Sequence, residues 1–279
     1  MDPEKVKKKL ISDLCADIPE FDKEENPFSL KRLQSKKNQV YELTFKVKPK
    51  EFPKTLILKL FRTEFAEKEH KALKKLKKQT LSVPKVLFFK KPYILLEKLK
   101  GANLCDFIND PLKKVRSLSE LDEKTHTKII GSVKKLAGWL AKLHRQNIIN
   151  DKDPFHIIVF NKGDTRLRDF IYNSSRKLIY GMDFEESYEG HHLDDIAWIC
   201  CSLIDTDPGI FQIAEPIHKI ELINILLKEY FRINDNFQFS FEYFAERLIE
   251  NLNTVIKRRS IKYGPINKDS ILKSILKNY

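Results

Sequence analysis

The spacing of hydrophobic and polar residues changes near Gly101, and it predicts two different kinds of structure. Before that residue the apolar segments are short. Val40–Val47 alternates between apolar and polar residues, and Thr55–Phe61 is an apolar run broken by one lysine. Both patterns are typical of β-strands. Two further strands are predicted at Val86–Phe89 and Tyr93–Glu97, so this part of the chain should form a small antiparallel sheet.

Helical spacing appears once in the strand-rich part and then dominates the remainder of the chain. The predicted helices are Glu64 to about Lys78, Ile129–Gln146, Leu193–Asp205, Ile217–Arg232 and Phe241–Arg258. We therefore expect an α+β protein with two lobes and a cleft between them. The small N-lobe would hold an antiparallel sheet with one helix, and the larger C-lobe would be mainly helical. The expected divisions are an N-terminal extension at 1–28, an N-lobe at 29–97 and a C-lobe at 98–279.

Composition favours a folded protein in a reducing compartment. The chain has 279 residues, of which 42% are hydrophobic and 33% charged, so it can bury a sizeable core. It contains no apolar run long enough for a membrane span and no secretory h-region near its N-terminus. Its cysteines lack metal-binding spacing, and they fit reduced, mostly buried thiols in the cytoplasm: Cys15, Cys105, Cys200 and Cys201.

The net charge is +13, from 52 basic and 39 acidic residues. A basic surface attracts nucleic acid, anionic lipid or polyphosphate ligands. The lysines are spread over many segments, however, and the densest runs fall on predicted helices, where a solvated face explains them. RNA or a protein partner therefore stays open, and the charge alone does not decide the function.

Three aspartates surround a predicted strand–turn–strand. Asp169 precedes the first strand, Asp183 follows the second, and the cluster at 173–176 supplies a turn between them. Folding this hairpin returns Asp183 to the end from which Asp169 departs, and Asp164 lies shortly upstream. Like charges this close require a cation between them. The pattern predicts a magnesium site, with a base or orienting carboxylate beside it.

Two charged residues occupy positions where apolar ones belong. Lys59 interrupts an apolar strand, and Glu69 lies on the apolar face of the following helix. A carboxylate on a core face needs a cationic partner. We expect the two side chains to pair, although an edge-strand lysine and a boundary glutamate would produce the same letters.

Together these features resemble the protein-kinase-like superfamily, especially its aminoglycoside phosphotransferase and choline-kinase branch. The resemblance covers roughly residues 30–205. It rests on the order and spacing of the following stretches: LILKLF, AEKEHKALKKL, PYILLEKLKGANL, LAGWLAKLH, KGDTRLRDFIYN, YGMDFEE and LDDIAW.

The resemblance implies a role for each matching residue. Lys59, held by Glu69, would contact the α- and β-phosphates of ATP. Asp164 would orient the acceptor hydroxyl, and Asp183, in Asp-Phe-Glu, would hold Mg²⁺. Asp169 would be the second metal ligand.

Other matches concern binding and bracing. Glu97 through Gly101, including Leu99, would form the linker whose backbone meets the adenine. The nucleotide loop would lie at Leu33–Tyr41, with Asn38 among its contacts. Asp195 would brace the catalytic loop from the following helix.

Three departures separate this chain from the family pattern. Lys162 stands where the family has histidine, and Asp169 where it has asparagine. The additional carboxylate predicts that metal binding survives or tightens. The nucleotide loop also lacks glycine, the residue that usually allows close backbone approach to phosphate.

A second catalytic frame competes with the first. Asp151 and His156 have similar spacing around a proline. From His156 to Asp183 the chain is too long for a simple hairpin, whereas from Asp169 it fits two strands and a tight turn. This favours Asp164. His144, His191 and His192 have no metal-like partners in sequence, and we expect them to be structural or exposed.

The sequence thus predicts an ATP- and Mg²⁺-dependent kinase acting on a hydroxyl. The short connection from Asp183 to Asp195 leaves little platform for a protein and favours a small-molecule acceptor. An atypical, RIO-like protein serine/threonine kinase, a nucleotide-binding pseudokinase or scaffold, and an RNA-associated kinase-like protein remain alternatives.

Overall fold

The chain divides into two compact units in a computed structural model. Unit 1 comprises Met1–Lys78 and Val83–Leu99, and unit 2 comprises Gln79–Ser82 and Lys100–Tyr279. The residues described are 3–18, 21, 24–25, 27–35, 37–62, 64–213, 215–262, 271–273 and 275.

Unit 1 is built on one antiparallel sheet of five strands. Its elements are α1 (Pro3–Asp17), β1 (Phe28–Leu33), β2 (Gln39–Phe45), β3 (Thr55–Leu60), α2 (Ala66–Lys78), β4 (Val86–Lys90) and β5 (Tyr93–Glu97). The strand order is β1-β2-β3-β5-β4. Alternation along β2 places Tyr41, Leu43 and Phe45 in the core, which is the pattern expected of a sheet with one buried face.

Helix α1 belongs to the core of unit 1. Leu10 and Leu14 are fully buried there, in one cluster with residues of β2, β3 and β5. Asp13 accepts a hydrogen bond of 2.6 Å from the Tyr93 hydroxyl, and Lys90 lies 2.7 Å from Asp17. The region expected to be an N-terminal extension therefore begins with a helix, and the apolar stripe of that helix packs within unit 1.

Unit 2 is mainly helical, with two small three-stranded sheets. Its helices are α3 (Leu104–Leu112), α4 (Glu123–Arg145), α5 (Leu193–Asp205), α6 (Ile217–Ile233) and α7 (Phe241–Arg259), with short 3₁₀ turns at Leu118–Glu120 and Leu167–Asp169. Its strands are β6 (Ala102–Asn103), β7 (Ile148–Asn150), β8 (Ile158–Asn161), β9 (Phe170–Asn173), β10 (Leu178–Gly181) and β11 (Tyr188–His191). The sheets have the orders β10-β9-β6 and β11-β8-β7.

The core of unit 2 lies between its long helices. Helix α4 packs against α6, and α5 packs against α7. Each contributes fully buried apolar residues, among them Leu140, Ile196, Leu226 and Leu248. Strand β8 and the β9–β10 hairpin lie along these helices and carry the loops that hold the aspartates.

The predicted fold class is confirmed: a five-stranded antiparallel sheet forms the N-terminal part and a mainly helical unit follows. Tyr93–Glu97 and Leu193–Asp205 have the predicted bounds. Helix α3 was not predicted, because Asn109, Asp110 and Pro111 weaken its helical signal. It begins where the Asn103 side chain accepts a hydrogen bond from Cys105 N.

No helix in the described part of the chain could span a membrane. None of the helices there combines the length and the apolar character that a bilayer span requires.

Candidate functional site

Unit 1 contains the expected ion pair. Lys59 lies on β3 and Glu69 on α2, and the distance between Lys59 Nζ and Glu69 Oε2 is 2.5 Å. Both side chains are buried. The ammonium also lies 4.7 Å from the centre of the Phe61 ring. A buried pair of this kind fixes the lysine head at the end of the strand.

The other predicted nucleotide contacts also lie in unit 1. Asn38 is buried in the turn between β1 and β2, and its side-chain oxygen accepts a hydrogen bond of 3.3 Å from Arg62 N. Glu97 ends β5 and accepts a hydrogen bond of 2.8 Å from Lys85 N. Leu99 is half-buried just beyond it. The predicted loop at 33–41 joins β1 and β2 as a hairpin whose last paired residues are Leu33 and Val40; Lys36 lies outside the described residues.

In unit 2 the hairpin brings Asp169 and Asp183 together as predicted. Phe170 pairs with Gly181 in the β9–β10 register, and Met182 N donates a hydrogen bond of 2.8 Å to Asp169 O. Asp183 follows directly and has φ of 64°. A positive φ is uncommon for a residue other than glycine and recurs at functional sites.

Lys162 is paired with Asp169 and is influenced electrostatically by Asp183, an arrangement that the sequence did not reveal. Its side chain is 1% exposed, and its Nζ is 3.1 Å from Asp169 Oδ2. Burial lowers the pKa of Lys162, but Asp169 and Asp183 outweigh that effect, so the pKa is raised and the ammonium stays charged. The sequence signal was present as a pair of departures, lysine for histidine and aspartate for asparagine.

The electrostatic consequence is that Lys162 offsets the charge that Asp169 adds. Burial raises the pKa of Asp169; Lys162 lowers it, and Asp183 raises it further, with a net upward shift. Tighter metal binding therefore no longer follows from the additional carboxylate. The donor set of Asp169 and Asp183 still consists of carboxylate oxygens, which are the ligands Mg²⁺ prefers.

Asp195 braces the loop that carries Asp164, as expected. It lies in the first turn of α5 and accepts hydrogen bonds from Lys162 N at 2.7 Å, Gly163 N at 3.0 Å and Thr165 Oγ1 at 2.5 Å. His144 Nε2 lies 3.3 Å away. Burial raises the pKa of Asp195, but these partners outweigh it and the net direction is downward.

Two details of this loop have structural reasons. Gly163 has φ of 75°, and a Cβ there would lie 2.3 Å from the carbonyl oxygen of Glu186, so only glycine fits. His144 is fully buried, and its Nδ1 lies 2.7 Å from the Tyr230 hydroxyl. It is therefore a structural histidine that links Asp195 to α6.

Asp164 has a different partner from the other two aspartates. Its φ is 41°, and both carboxylate oxygens accept hydrogen bonds from Arg258 Nη1, at 3.0 and 2.9 Å. The Asp164 side chain is 15% exposed, so the carboxylate is held but still accessible. The sequence did not indicate Arg258, because it lies far along the chain in the last turn of α7.

Arginines also link the Asp164 loop to neighbouring helices. Arg166 and Arg259 both bind Asp205 Oδ2, at 2.5 and 2.6 Å. The guanidinium carbons of Arg166 and Arg258 lie 5.8 and 5.6 Å from the Trp198 ring centre. The loop that follows β8 is thus held from α5 and α7.

The competing frame has no comparable support in the described structure. Asp151 and His156 are exposed and precede β8, whereas the braced loop follows it. His191 and His192 are buried and stacked on each other, with ring centres 4.5 Å apart.

No family model matches the chain, and no curated protein matches it by sequence. Solved structures match it over nearly its whole length. A protein from Ralstonia eutropha JMP134, assigned as an aminoglycoside phosphotransferase, has 14% identity and a TM-score of 0.62 and covers 96% of this chain and 94% of its own. Choline kinase LicA from Streptococcus pneumoniae has 16% identity and a TM-score of 0.56, covering 97% and 96%.

A third structure is amicoumacin kinase hAmiN, solved in complex with AMP-PNP, Ca²⁺ and Ami. It has 12% identity and a TM-score of 0.54, covering 98% of this chain and 94% of its own. At such identities the likeness concerns the fold. The chain therefore has the protein-kinase-like fold, in the form found in aminoglycoside phosphotransferases and choline kinases.

Proposed function

We propose that the chain is an ATP- and Mg²⁺-dependent phosphotransferase that acts on a hydroxyl group of a small molecule. The carrying observation is the braced loop at 162–165. Asp195 binds two of its backbone N–H groups and the Thr165 hydroxyl, and this holds Asp164 with a positive φ and an accessible carboxylate. Such rigid placement suits a group that orients an attacking hydroxyl.

Asp164 accepts the proton in the proposed reaction. As the acceptor oxygen bonds to the γ-phosphorus, the bond from that phosphorus to the bridging oxygen of ADP breaks. The proton of the hydroxyl passes to the Asp164 carboxylate and then to water. The protein contributes mainly position and charge, because phosphoryl transfer requires little covalent chemistry from it.

The remaining roles follow from charge. Lys59, fixed by Glu69, binds phosphate oxygens of the nucleotide, and Asn38, Glu97 and Leu99 are proposed nucleotide contacts. Asp183, with Asp169, would hold Mg²⁺, which would neutralise phosphate charge. That the amicoumacin kinase neighbour was solved with AMP-PNP and Ca²⁺ supports a nucleotide and a divalent cation here.

The direct test compares two aspartates from the two catalytic frames. Asp164→Asn should lower kcat by about 100-fold or more while nucleotide affinity changes little, since the proton acceptor is lost but the phosphate contacts remain. Asp151→Asn, an exposed matched control, should behave as wild type. ATP consumption is measured against sugars, amino alcohols, nucleosides and a generic protein substrate, and nucleotide binding by calorimetry. Full activity in Asp164→Asn, with loss in Asp151→Asn, would select the other frame.

A nucleotide-binding pseudokinase is the second candidate, and one observation favours it. Asp169 and Asp164 are each already paired with a cationic side chain, Asp169 with Lys162 and Asp164 with Arg258. That function predicts saturable ATP binding with no turnover over the same acceptor panel.

A further inference from the structure

The guanidinium of Arg258 lies on the carboxylate that the proposed function places beside the acceptor. Its Nη1 donates to both oxygens of Asp164. The side chain is 51% exposed and projects from the last turn of α7. Within the described residues, its hydrogen bonds go to Asp164. An acceptor whose hydroxyl reaches Asp164 must therefore lie next to Arg258.

Among the described residues, the guanidinium groups at this point outnumber the carboxylates that they bind. Three guanidinium groups, from Arg166, Arg258 and Arg259, are paired with two carboxylates, Asp205 and Asp164. Asp205 serves two of the arginines at once. When Asp164 turns one oxygen toward a hydroxyl, the positive charge of Arg258 is less fully compensated. A second anion can restore that compensation.

Arg258 can change partner without unfolding its helix. Its aliphatic stem leaves the exposed end of α7, and its guanidinium lies beside the Trp198 ring, with 5.6 Å between the guanidinium carbon and the ring centre. A planar group beside an aromatic ring is restrained in tilt but can slide in its plane. The guanidinium fork is also the protein group best matched to phosphate and carboxylate oxygens.

We propose that Arg258 binds an anionic group of the acceptor, so that the substrate class is a hydroxyl compound carrying a phosphate or carboxylate near the reacting hydroxyl. This inference rests on the proposed function of Asp164. It excludes cationic amino alcohols as preferred acceptors, because their charge would face Arg258 with Asp164 already engaged.

A binding experiment tests the site without knowing the acceptor. The chain has two tryptophans, Trp139 and Trp198, of which Trp198 adjoins Arg258. The protein is saturated with AMP-PNP and Mg²⁺, so that its nucleotide phosphate contacts are occupied, and inorganic phosphate is then titrated while tryptophan emission is recorded. A saturable change is expected, and Trp198→Phe should remove it.

Substitution of the arginine supplies the decisive comparison. Arg258→Gln should weaken phosphate binding by about tenfold or more, the loss expected when one charge-assisted hydrogen bond is removed. Lys257→Gln, an exposed neighbour on the same helix turn, should bind as wild type. Absence of saturable binding in wild type, or equal binding in Arg258→Gln, overturns the proposal.

An activity experiment separates this inference from the proposed function. ATP consumption is compared for glycerol, glycerol 3-phosphate and choline, which are neutral, anionic and cationic hydroxyl compounds. The anionic compound should react fastest, and Arg258→Gln should raise its KM by a larger factor than it raises that of glycerol. If choline reacts fastest and Arg258→Gln leaves the KM of glycerol 3-phosphate unaltered, the anion site is contradicted while the proposed function stands. Failure to bind nucleotide at all sinks the proposed function.

Discussion

The two departures from the family pattern at Lys162 and Asp169 compensate each other, because one adds a positive charge and the other a negative charge. Lys162 brings a buried ammonium and Asp169 an additional carboxylate, 3.1 Å apart, next to Asp183. Asp169 alone would leave a buried carboxylate without its cation, which costs several kcal/mol, and Lys162 alone would retain only Asp183 as a partner. The pair therefore preserves the local charge that a neutral residue at each position would have.

A double-mutant cycle tests this interpretation. Lys162→Met should destabilise the protein by about 3–5 kcal/mol, because it leaves Asp169 and Asp183 without their buried cation. Asp169→Asn should cost less, since Asp183 still faces the ammonium. The double variant should recover part of the loss, giving a favourable coupling energy above about 1 kcal/mol in urea unfolding. Purely additive effects would contradict this compensation.

The sequence revealed the anomalous letters at this scale but not their contacts. Lys59 and Glu69 could be paired because each interrupts an apolar pattern of its own element. Lys162 interrupts no pattern, since it lies in a loop, and its burial depends on how α5 and the hairpin close over it. Arg258 gave no local signal, because a basic residue in the last turn of a helix is ordinary.

The β9–β10 hairpin depends on one glycine where it meets α4. A Cβ on Gly181 would lie 2.3 Å from Trp139 Cζ2. The Trp139 indole is held in place, because its Nε1 donates a hydrogen bond of 3.0 Å to Ser82 O and its ring forms a T-shaped contact with Phe170. The indole cannot yield without loss of that bond, so the hairpin that carries Asp183 must shift instead.

Alanine at two glycines should consequently have opposite effects. Gly181→Ala should destabilise the protein by about 1–3 kcal/mol through overpacking. Gly131→Ala is the control, as a Cβ there meets nothing within 4 Å and the residue lies inside α4. It should stabilise the protein by about 0.5–1 kcal/mol through reduced backbone entropy. Thermal unfolding of both variants is the measurement, and equal melting temperatures would refute the clash.

Element prediction succeeded where packing and local pattern agree. Helices α6 and α7 bury one face each, so their spacing is regular and their bounds were predicted to within one residue, whereas α4 begins at Glu123, six residues before the predicted start. Strand β11, Tyr188–His191, was missed because Glu189 and Gly190 carry no apolar signal. It exists because its backbone pairs with β8. The local spacing of apolar residues does not predict a strand that forms through tertiary pairing of this kind.

Two buried histidines make the whole molecule sensitive to acid. Burial lowers the pKa of His191 from 6.5 to about 4 and that of His192 to about 3. His191 is fixed as a neutral ring, because its Nδ1 accepts a hydrogen bond from Leu193 N and its Nε2 faces Phe155 O. Protonation would place a donor against the Leu193 N–H.

The sign of the pH effect follows from linkage. The unfolded chain takes up these protons near pH 6.5, and the folded one only near pH 4 or below, so the free energy of unfolding falls as pH drops through that range. Between pH 7 and 5 each histidine should cost on the order of 2 kcal/mol. Melting temperature against pH should be shallower for His191→Gln and unchanged for His126→Gln, a control on α4. Parallel curves for wild type and His191→Gln would exclude the mechanism.

The placement of α1 in the core of unit 1 has a consequence for synthesis on the ribosome. Asp13 and Tyr93 are 80 positions apart and share a hydrogen bond, so α1 emerges well before the strand β5 that it contacts. At 5–20 residues per second this interval is roughly 4–16 s. During this interval Leu10 and Leu14 lack the strand residues that bury them. Nascent chains can then bind ribosome-associated chaperones or one another. Yield on expression should therefore respond more to translation speed over residues 20–99 than to translation speed over the helices that follow.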